Sequence, residues 1–97
     1  MAQVVYSVTL HAGHRMILAE KPTVSTRIFI SIRALADDTT WAMSKISFGD
    51  PYFYSYYILD GPAKYFEMKG EGIFQGDIWV RNASGINLTY LVSEILI

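Results

Sequence analysis

Hydrophobic and polar residues alternate along most of the chain. The run 3–10 places four apolar residues on one face: Val4, Tyr6, Val8 and Leu10. In the run 26–34 the isoleucines share one face, and the same alternation predicts that Arg27 and Arg33 face water on the other. Successive side chains of a strand point to opposite faces of a sheet, so this period of two predicts strands.

Glycine, proline and aspartate separate these runs, as in Gly49-Asp50-Pro51 and Asp60-Gly61-Pro62, and such clusters mark turns. The runs between them are rich in Val, Ile, Thr, Tyr and Phe, which suit a pleated, half-buried surface. The sequence predicts about eight strands, over residues 3–10, 15–20, 26–34, 41–48, 52–59, 64–69, 77–82 and 87–97.

The last run, 87–97, fits two kinds of structure. Some of its apolar residues also form a helical stripe: Leu88, Leu91, Val92, Ile95 and Leu96. We predict a strand, because the run is rich in residues that favour strands and follows a glycine-containing turn. Its apolar end would be an aggregation hazard if exposed, so we expect it to complete a sheet, in this subunit or in a neighbour.

The number and length of the predicted strands determine the fold class. One open sheet would leave an apolar face in water, so the strands are expected to form two layers or to close. We predict an all-β fold: a compact antiparallel β-sandwich with jelly-roll or Greek-key connections, with a small barrel as the second possibility. The length of 97 residues, without a linker or repeat, predicts a single domain over residues 1–97.

Charge and hydropathy narrow the range of partners. Eight basic and nine acidic residues give a net charge of −1, and the sequence shows no basic stripe, so we expect no nucleic-acid binding. No run approaches the length of about 20 apolar residues that crosses a bilayer. The N-terminal segment has no charged region before its apolar part, so it does not predict a signal peptide. We therefore expect no membrane partner.

The chain is unusually apolar for its size. Hydrophobic residues make up 52% of it, and cysteine is absent, so no disulfide supports the fold. A small domain exposes much of its surface. Either the core absorbs the excess, or part of it is buried against another chain, and we favour the second interpretation.

The sequence offers little catalytic chemistry. His11 and His14 supply two possible metal ligands and no third is signalled nearby, so we interpret them as turn residues. Acidic residues fall at predicted turns, which explains them without a calcium site. No G-x-S-x-G motif and no phosphate-binding glycine loop occurs. We therefore predict no enzyme activity, no cofactor and no metal.

The segment 52–57 is the most unusual, with five aromatic residues in six positions. They cannot all lie on one face of a strand, and tyrosine is common in recognition surfaces. The candidate interface is Tyr52, Phe53, Tyr54, Tyr56, Tyr57, Ile95, Leu96 and Ile97. Packing within the domain, or stacking of sugars on exposed rings, are the alternatives. We expect Trp79 in the core.

The C-terminal third resembles the closing hairpin of small virion proteins of tailed phages. In that family a strand of the type G-x-I-[WY]-V-R-N leads into a Ser-Gly turn, and a final strand ends in V-x-E-x. The matching residues here are Gly76, Ile78, Trp79, Val80, Arg81 and Asn82, followed by Val92 and Glu94. The resemblance covers about a quarter of the chain.

The resemblance implies a β-sandwich that decorates or cements a capsid, usually as a trimer. The expected function is that of a non-enzymatic virion structural protein on the capsid surface of a bacteriophage. Its partners would be other copies of itself and a major capsid or other virion protein. The alternative is a carbohydrate- or receptor-binding β-sandwich, such as a tail-fibre tip or lectin-like module, with a glycan as partner.

Overall fold

Eight strands form in the computed structural model, which describes residues 2–35, 44–51, 56–59, 65–83 and 85–97. They are β1 (Ala2–Leu10), β2 (Arg15–Ala19), β3 (Arg27–Leu35), β4 (Ser44–Phe48), β5 (Tyr56–Leu59), β6 (Tyr65–Lys69), β7 (Ile78–Asn82) and β8 (Leu88–Leu96). Each overlaps one of the predicted strands. The described part of the chain contains no helix that could cross a membrane.

The strands form two four-stranded antiparallel sheets. Sheet A has the order β1-β8-β3-β6, and sheet B has the order β2-β7-β4-β5. Along the chain, the pair β4–β5 lies within the pair β3–β6, which lies within β2–β7, which lies within β1–β8. The chain therefore forms one long hairpin that is folded into two sheets. This is the strand order of a jelly roll, and it confirms the predicted β-sandwich.

The last run of the chain is a strand, as predicted, and it lies within its own subunit. β8 occupies the interior of sheet A, between β1 and β3. The ladder continues past it, because Thr26 N donates to Ile97 O at 2.7 Å and Ile97 N donates to Thr26 O at 2.9 Å. The apolar end therefore completes a sheet in this subunit.

The core lies between the two sheets and follows the alternation of the sequence. Sheet A contributes Ile30, Ile32, Leu88, Tyr90 and Val92, and sheet B contributes Leu18, Ile46, Ile78 and Val80, all buried. At one end, Phe48 packs against Phe66 and Phe74, with ring centroids 5.6 and 5.4 Å apart. A core of branched and aromatic side chains supplies the main apolar burial of this cysteine-free chain.

Arg27 is fully buried, so the prediction that it faces water is wrong. The β3–β8 register shifts between Arg27 and Phe29, which places an irregularity at the start of β3. A bulge inserts a residue and changes the side to which the following side chains point. The simple period of two therefore fails at Arg27, whereas Arg33 is exposed as predicted.

Each nitrogen of the buried Arg27 guanidinium donates at least one hydrogen bond. Its Nε donates to Glu94 Oε1 at 2.8 Å. Its Nη1 and Nη2 donate to three backbone carbonyls, those of Phe74, Gly76 and Glu20, at 2.8 to 3.0 Å. No buried side-chain nitrogen or oxygen of the described residues lacks a hydrogen bond. Arg27 therefore joins the ends of β2, β3 and β8 to the segment before β7.

Gln75 reinforces this junction through the backbone of Arg27. The amide of Arg27 donates to Gln75 Oε1 at 2.8 Å, and Gln75 Nε2 donates to Arg27 O at 2.6 Å. The side-chain amide thus takes the place of a neighbouring strand where the ladder is irregular. An unpaired backbone group would be costly in this part-buried position.

Tyr6 makes this network sensitive to alkaline pH. Its hydroxyl lies 3.0 Å from Leu18 O and 3.2 Å from Glu94 Oε2. Burial first, and then the charge of Glu94, raise the pKa of Tyr6 well above its ordinary value of about 10. The folded protein therefore holds this proton more tightly than the unfolded chain does.

We expect this linkage to appear in the pH dependence of stability. The contribution of Tyr6 is complete below about pH 10 and is lost as the pH rises further, because only the unfolded chain then releases the proton. Urea unfolding at mildly and strongly alkaline pH should show a smaller loss of stability for Tyr6→Phe than for the parent. Other titrating groups are common to both proteins and cancel in the comparison. An equal loss in both would contradict the expectation.

Candidate interaction surface

Sheet A carries most of the exposed apolar surface of the described residues. Of the eight large hydrophobic side chains that are exposed there, six lie on sheet A or directly after β8: Val4, Val5, Leu35, Tyr65, Leu91 and Ile97. The other two, Val24 and Ile86, lie in a loop and a turn. Among the described side chains, the exposed large hydrophobic residues are therefore concentrated on one layer of the sandwich.

β1 forms one edge of sheet A and contains no charge, proline or bulge of the kind that protects many edge strands. It pairs with β8 over nine residues with no break in register. It contains no charged residue and no proline, and Val5 is 57% exposed. At about 3.4 Å per residue the edge is about 30 Å long. Long, uncharged edges of this kind pair readily with other chains.

The outer face beside this edge is also uncharged. Outward-facing residues of β1 and β8 pair across the sheet: Gln3 with Ile95, Val5 with Ser93, Ser7 with Leu91, and Thr9 with Thr89. The outward charges of sheet A lie on its other half, on Arg33, Glu67 and Lys69. We call the edge of β1 and the outer face of β1 and β8 the β1/β8 surface.

The predicted interface residues fall on two different sheets. Ile95 lies on the β1/β8 surface and is half-buried, Leu96 is half-buried at the end of β8, and Ile97 is exposed. Tyr56 and Tyr57 belong to β5, one of the two edge strands of sheet B, where only the backbone is described. Tyr52, Phe53 and Tyr54 lie outside the described residues.

The alternation of residues 3–10 predicts strand β1 but not its place at the edge of a sheet or in an interface. Strand order depends on pairing with β8, and the paired residues are between 78 (Leu10 and Leu88) and 94 (Ala2 and Leu96) positions apart. The available signal was the absence of any charged residue before Arg15. Interior strands need no such protection, so this signal alone did not identify an edge.

On sheet B, the outer face of β2, β7 and β4 carries a row of positive charges. Arg15, Arg81 and Lys45 lie side by side in one row across β2, β7 and β4. In the neighbouring row, Trp79 lies between Ile17 and Ser47. Trp79 alternates with the buried Ile78 and Val80 and is half-buried on the outer face, so its expected place in the core is wrong. The three cations come from distant segments, which hides the row in the sequence.

An open pocket of about 330 Å³ lies at one end of this row, lined by Gly13, His14, Arg15 and Arg81. The β1–β2 turn forms one wall, and Gly13 adopts a φ of 77°, a conformation that side chains rarely allow. Gly13 N donates to Asn82 O at 2.8 Å, and Asn82 N donates to His14 O at 2.9 Å. The turn is thus held directly against the end of β7.

The side chain of Asn82 fixes the same corner from inside. Its Nδ2 donates to Leu10 O at 3.2 Å and to Ile86 O at 2.7 Å, and the residue is fully buried. It therefore connects the β1–β2 turn with the β7–β8 turn. The turn that forms one wall of the pocket is therefore held in place by hydrogen bonds.

The two histidines lie in the β1–β2 turn, as predicted. Both are exposed, with ring centroids 5.9 Å apart, and His14 Nδ1 lies 3.0 Å from Ala12 O. Within the described residues, no three His, Asp or Glu side chains are grouped closely enough to hold a metal ion. Of the described carboxylates, Glu94 binds Arg27, and Asp77 accepts from Lys21 N at 2.8 Å.

Comparisons with known proteins bear on the fold alone. No protein-family model matches the chain, and no curated protein matches it. Among solved structures, the chain is similar to a de novo designed double-stranded β-helix determined by solution NMR, with a TM-score of 0.63 and 15% sequence identity. The match covers 95% of this chain and 99% of that one. It agrees with the nested pairing of strands described above and carries no functional inference.

Proposed function

We propose that this chain is a non-enzymatic structural protein that works by self-association and by docking onto a larger assembly. The observation that supports it is the β1/β8 surface, where an unprotected edge strand adjoins an uncharged face that includes exposed Val5 and Leu91. Natural monomers protect such edges with charges, prolines or bulges. An edge without them is explained if another chain covers it.

In the proposed assembly, the edge of β1 in one copy pairs with a neighbouring copy. The outer faces of β1 and β8 also pack against that neighbouring copy. Backbone hydrogen bonds would supply affinity, and alternate side chains would supply specificity. A stable contact buries about 800 Å² per partner. Serine and threonine hydroxyls between Val5, Leu91 and Ile95 keep the face soluble before assembly while leaving few charges to desolvate.

The specific proposal is a capsid decoration or cement subunit of a tailed phage, acting as a closed homo-oligomer such as a trimer on a major capsid protein. It is supported by the resemblance of the C-terminal hairpin and by the jelly-roll order of strands, a fold used in viral capsids. That fold also serves lectin domains, so a carbohydrate-binding module remains the alternative. The two proposals differ in the partner, which is a major capsid protein for the first and a glycan for the second.

The decisive test is native mass in solution, by light scattering on a size-exclusion column at micromolar concentration. We expect a closed oligomer for the parent and the 11.0 kDa monomer for Val5→Lys, because a charge at the edge blocks pairing. The matched control is Val24→Lys. Val24 is 96% exposed in the β2–β3 loop, so this change adds the same charge away from the edge.

Two results would count against the proposal. If the parent protein is a monodisperse monomer, it does not self-associate. If Val5→Lys and Val24→Lys dissociate equally, the contact does not depend on β1. Far-ultraviolet circular dichroism should stay unchanged in both variants, because both positions face solvent. Binding of the parent to assembled phage shells, without binding to a glycan array, would support the capsid proposal over the carbohydrate alternative.

A further inference from the structure

We propose that β1 of one copy pairs antiparallel with β1 of a second copy across a two-fold axis, with Tyr6 facing Tyr6 at the axis. The inference rests on the self-association proposed above and specifies the partner strand, its direction and its register. A two-fold contact gives a dimer, or a larger assembly with an even number of copies. A ring of three copies cannot be built from this contact alone.

Four residues of β1 direct their backbone N–H and C=O groups away from sheet A. Along an antiparallel strand, these groups point alternately toward one neighbour and toward the other side. Ile97 exchanges both of its hydrogen bonds with Thr26 on the β3 side, so those of Leu96 point toward β1. Ala2, opposite Leu96, therefore bonds to β8. The backbone groups that point outward are those of the alternate residues Gln3, Val5, Ser7 and Thr9.

The same four residues are exposed, as residues of an open edge are. β1 carries no charged side chain, so two copies of this edge approach one another without repulsion. No charge has to be removed from water when they pair, which avoids the main cost of burying polar surface. The edge is therefore suited to a second copy of itself.

Within the described residues, the other edge strands match β1 poorly. β6 has five residues and carries Glu67 and Lys69. β2 also has five residues, begins with Arg15 and contains a shift of register. β5 has four residues. Each of these would pair with only part of the nine-residue edge, whereas a second β1 matches its whole length.

The outward backbone groups also select the register. When Gln3 faces Thr9 and Val5 faces Ser7, the two-fold axis generates four pairs, and all four outward residues of each copy are used. Each pair exchanges two hydrogen bonds, which gives eight in all. A slide of two residues would oppose Val5 to Val5, or Ser7 to Ser7, and leave three such pairs. A slide of one residue would oppose outward groups to inward ones.

The other face of β1 is consistent with this register. Val4 is 40% exposed although it lies on the same side of the strand as the core residue Leu10. In the proposed pair it faces Val8 of the second copy, so an apolar side chain covers an apolar one. Cross-strand pairs of β-branched residues stabilise sheets.

Because the chain contains no cysteine, disulfide cross-linking can test the register directly. We would prepare Val5→Cys and Ser7→Cys separately, label one with a heavy nitrogen isotope, mix them at micromolar concentration under reducing conditions, and then oxidise with glutathione disulfide. The proposed register places the Cα atoms of positions 5 and 7 about 5.5 Å apart, within the range of a disulfide. Two copies of one variant place their cysteines on a diagonal, about 7–8 Å apart.

We expect a disulfide-linked dimer of one labelled and one unlabelled chain. It should form about a hundredfold faster than with the control Val24→Cys, because paired positions react at a millimolar effective concentration instead of a micromolar one. Val24 is 96% exposed and lies away from β1, so its cysteine reports random collision. Gln3→Cys mixed with Thr9→Cys is an independent pair and should behave in the same way.

The outcomes separate this inference from the proposed self-association. Rapid cross-linking confined to the two mixtures would support the register. Rapid cross-linking of Val5→Cys alone, or of Ser7→Cys alone, would overturn it. If the parent is an oligomer by native mass but no mixture reacts faster than Val24→Cys, pairing of β1 with β1 is wrong and self-association stands. If the parent is a monomer, both proposals are wrong.

Discussion

Replacement of Arg27 by methionine should destabilise the fold by about 3–5 kcal/mol, the usual cost of breaking a buried ion pair. Methionine fills much of the same volume but donates no hydrogen bond. The change would leave the Glu94 carboxylate without its cationic partner. It would also leave the carbonyls of Glu20, Phe74 and Gly76 without the guanidinium N–H groups that donate to them. Domains of this kind are stable by only about 5–15 kcal/mol, so urea unfolding would show a large shift of the midpoint.

Two further variants separate the lost pair from the lost arginine. Arg33→Met removes an exposed arginine from the same strand and should change the free energy of unfolding by less than about 0.5 kcal/mol. Arg27→Met combined with Glu94→Gln should be more stable than Arg27→Met alone, because the uncompensated carboxylate is gone. A loss below about 1 kcal/mol for Arg27→Met would show that the network contributes little beyond an ordinary hydrogen bond.

Local alternation was sufficient to predict the strands and the faces they bury. Ile30 and Ile32 of β3 and Ile78 and Val80 of β7 are fully buried, as their period of two predicts. Ile28, which the same pattern placed on the inward face of β3, is only half-buried beside the shift of register. Alternation failed at Arg27, where a shift of register places a cation inside. A bulge is set by the partner strand, so a pattern read along one strand cannot reveal it.

The sequence predicted the candidate surfaces less well than it predicted the core. The row of Arg15, Arg81 and Lys45 requires strands β2, β7 and β4 to be neighbours, and the β1/β8 surface requires β1 to be an edge. Both facts follow from long-range pairing, whereas periodicity is local. The aromatic segment 52–57 remains a prediction for an interface, since its side chains lie outside the part of the chain that the structure describes.

The residues that carry the resemblance to phage virion proteins also have structural roles. Ile78, Val80 and Val92 belong to the core, and Glu94 pairs with Arg27. At Gly76 an added Cβ would lie 2.5 Å from Phe74 Cζ, so a side chain there would require the Phe74 ring to shift. Hairpin packing alone therefore accounts for most of the motif. Arg81 is the exception, because it is exposed and lines the pocket on sheet B.

Asn82→Asp should destabilise the fold by about 2–4 kcal/mol at neutral pH, although the two side chains have nearly the same shape. The buried amide nitrogen donates to Leu10 O and Ile86 O. A carboxylate would place an acceptor and a negative charge against both carbonyls. Unfolding by urea would measure the loss. It should be smaller at acidic pH, since a protonated carboxyl can donate to one of the carbonyls.

Asn87→Asp is the matched control for this change. Asn87 is exposed in the same turn, and its Oδ1 accepts from Ala12 N at 3.1 Å. A carboxylate can accept that hydrogen bond equally well, so the free energy of unfolding should change by less than about 0.5 kcal/mol. A similar loss in both variants would mean that the turn tolerates no added negative charge, and that the donors of Asn82 are not the cause. A large loss confined to Asn82→Asp would identify this amide as the group that holds the two turns, and with them the wall of the pocket, in place.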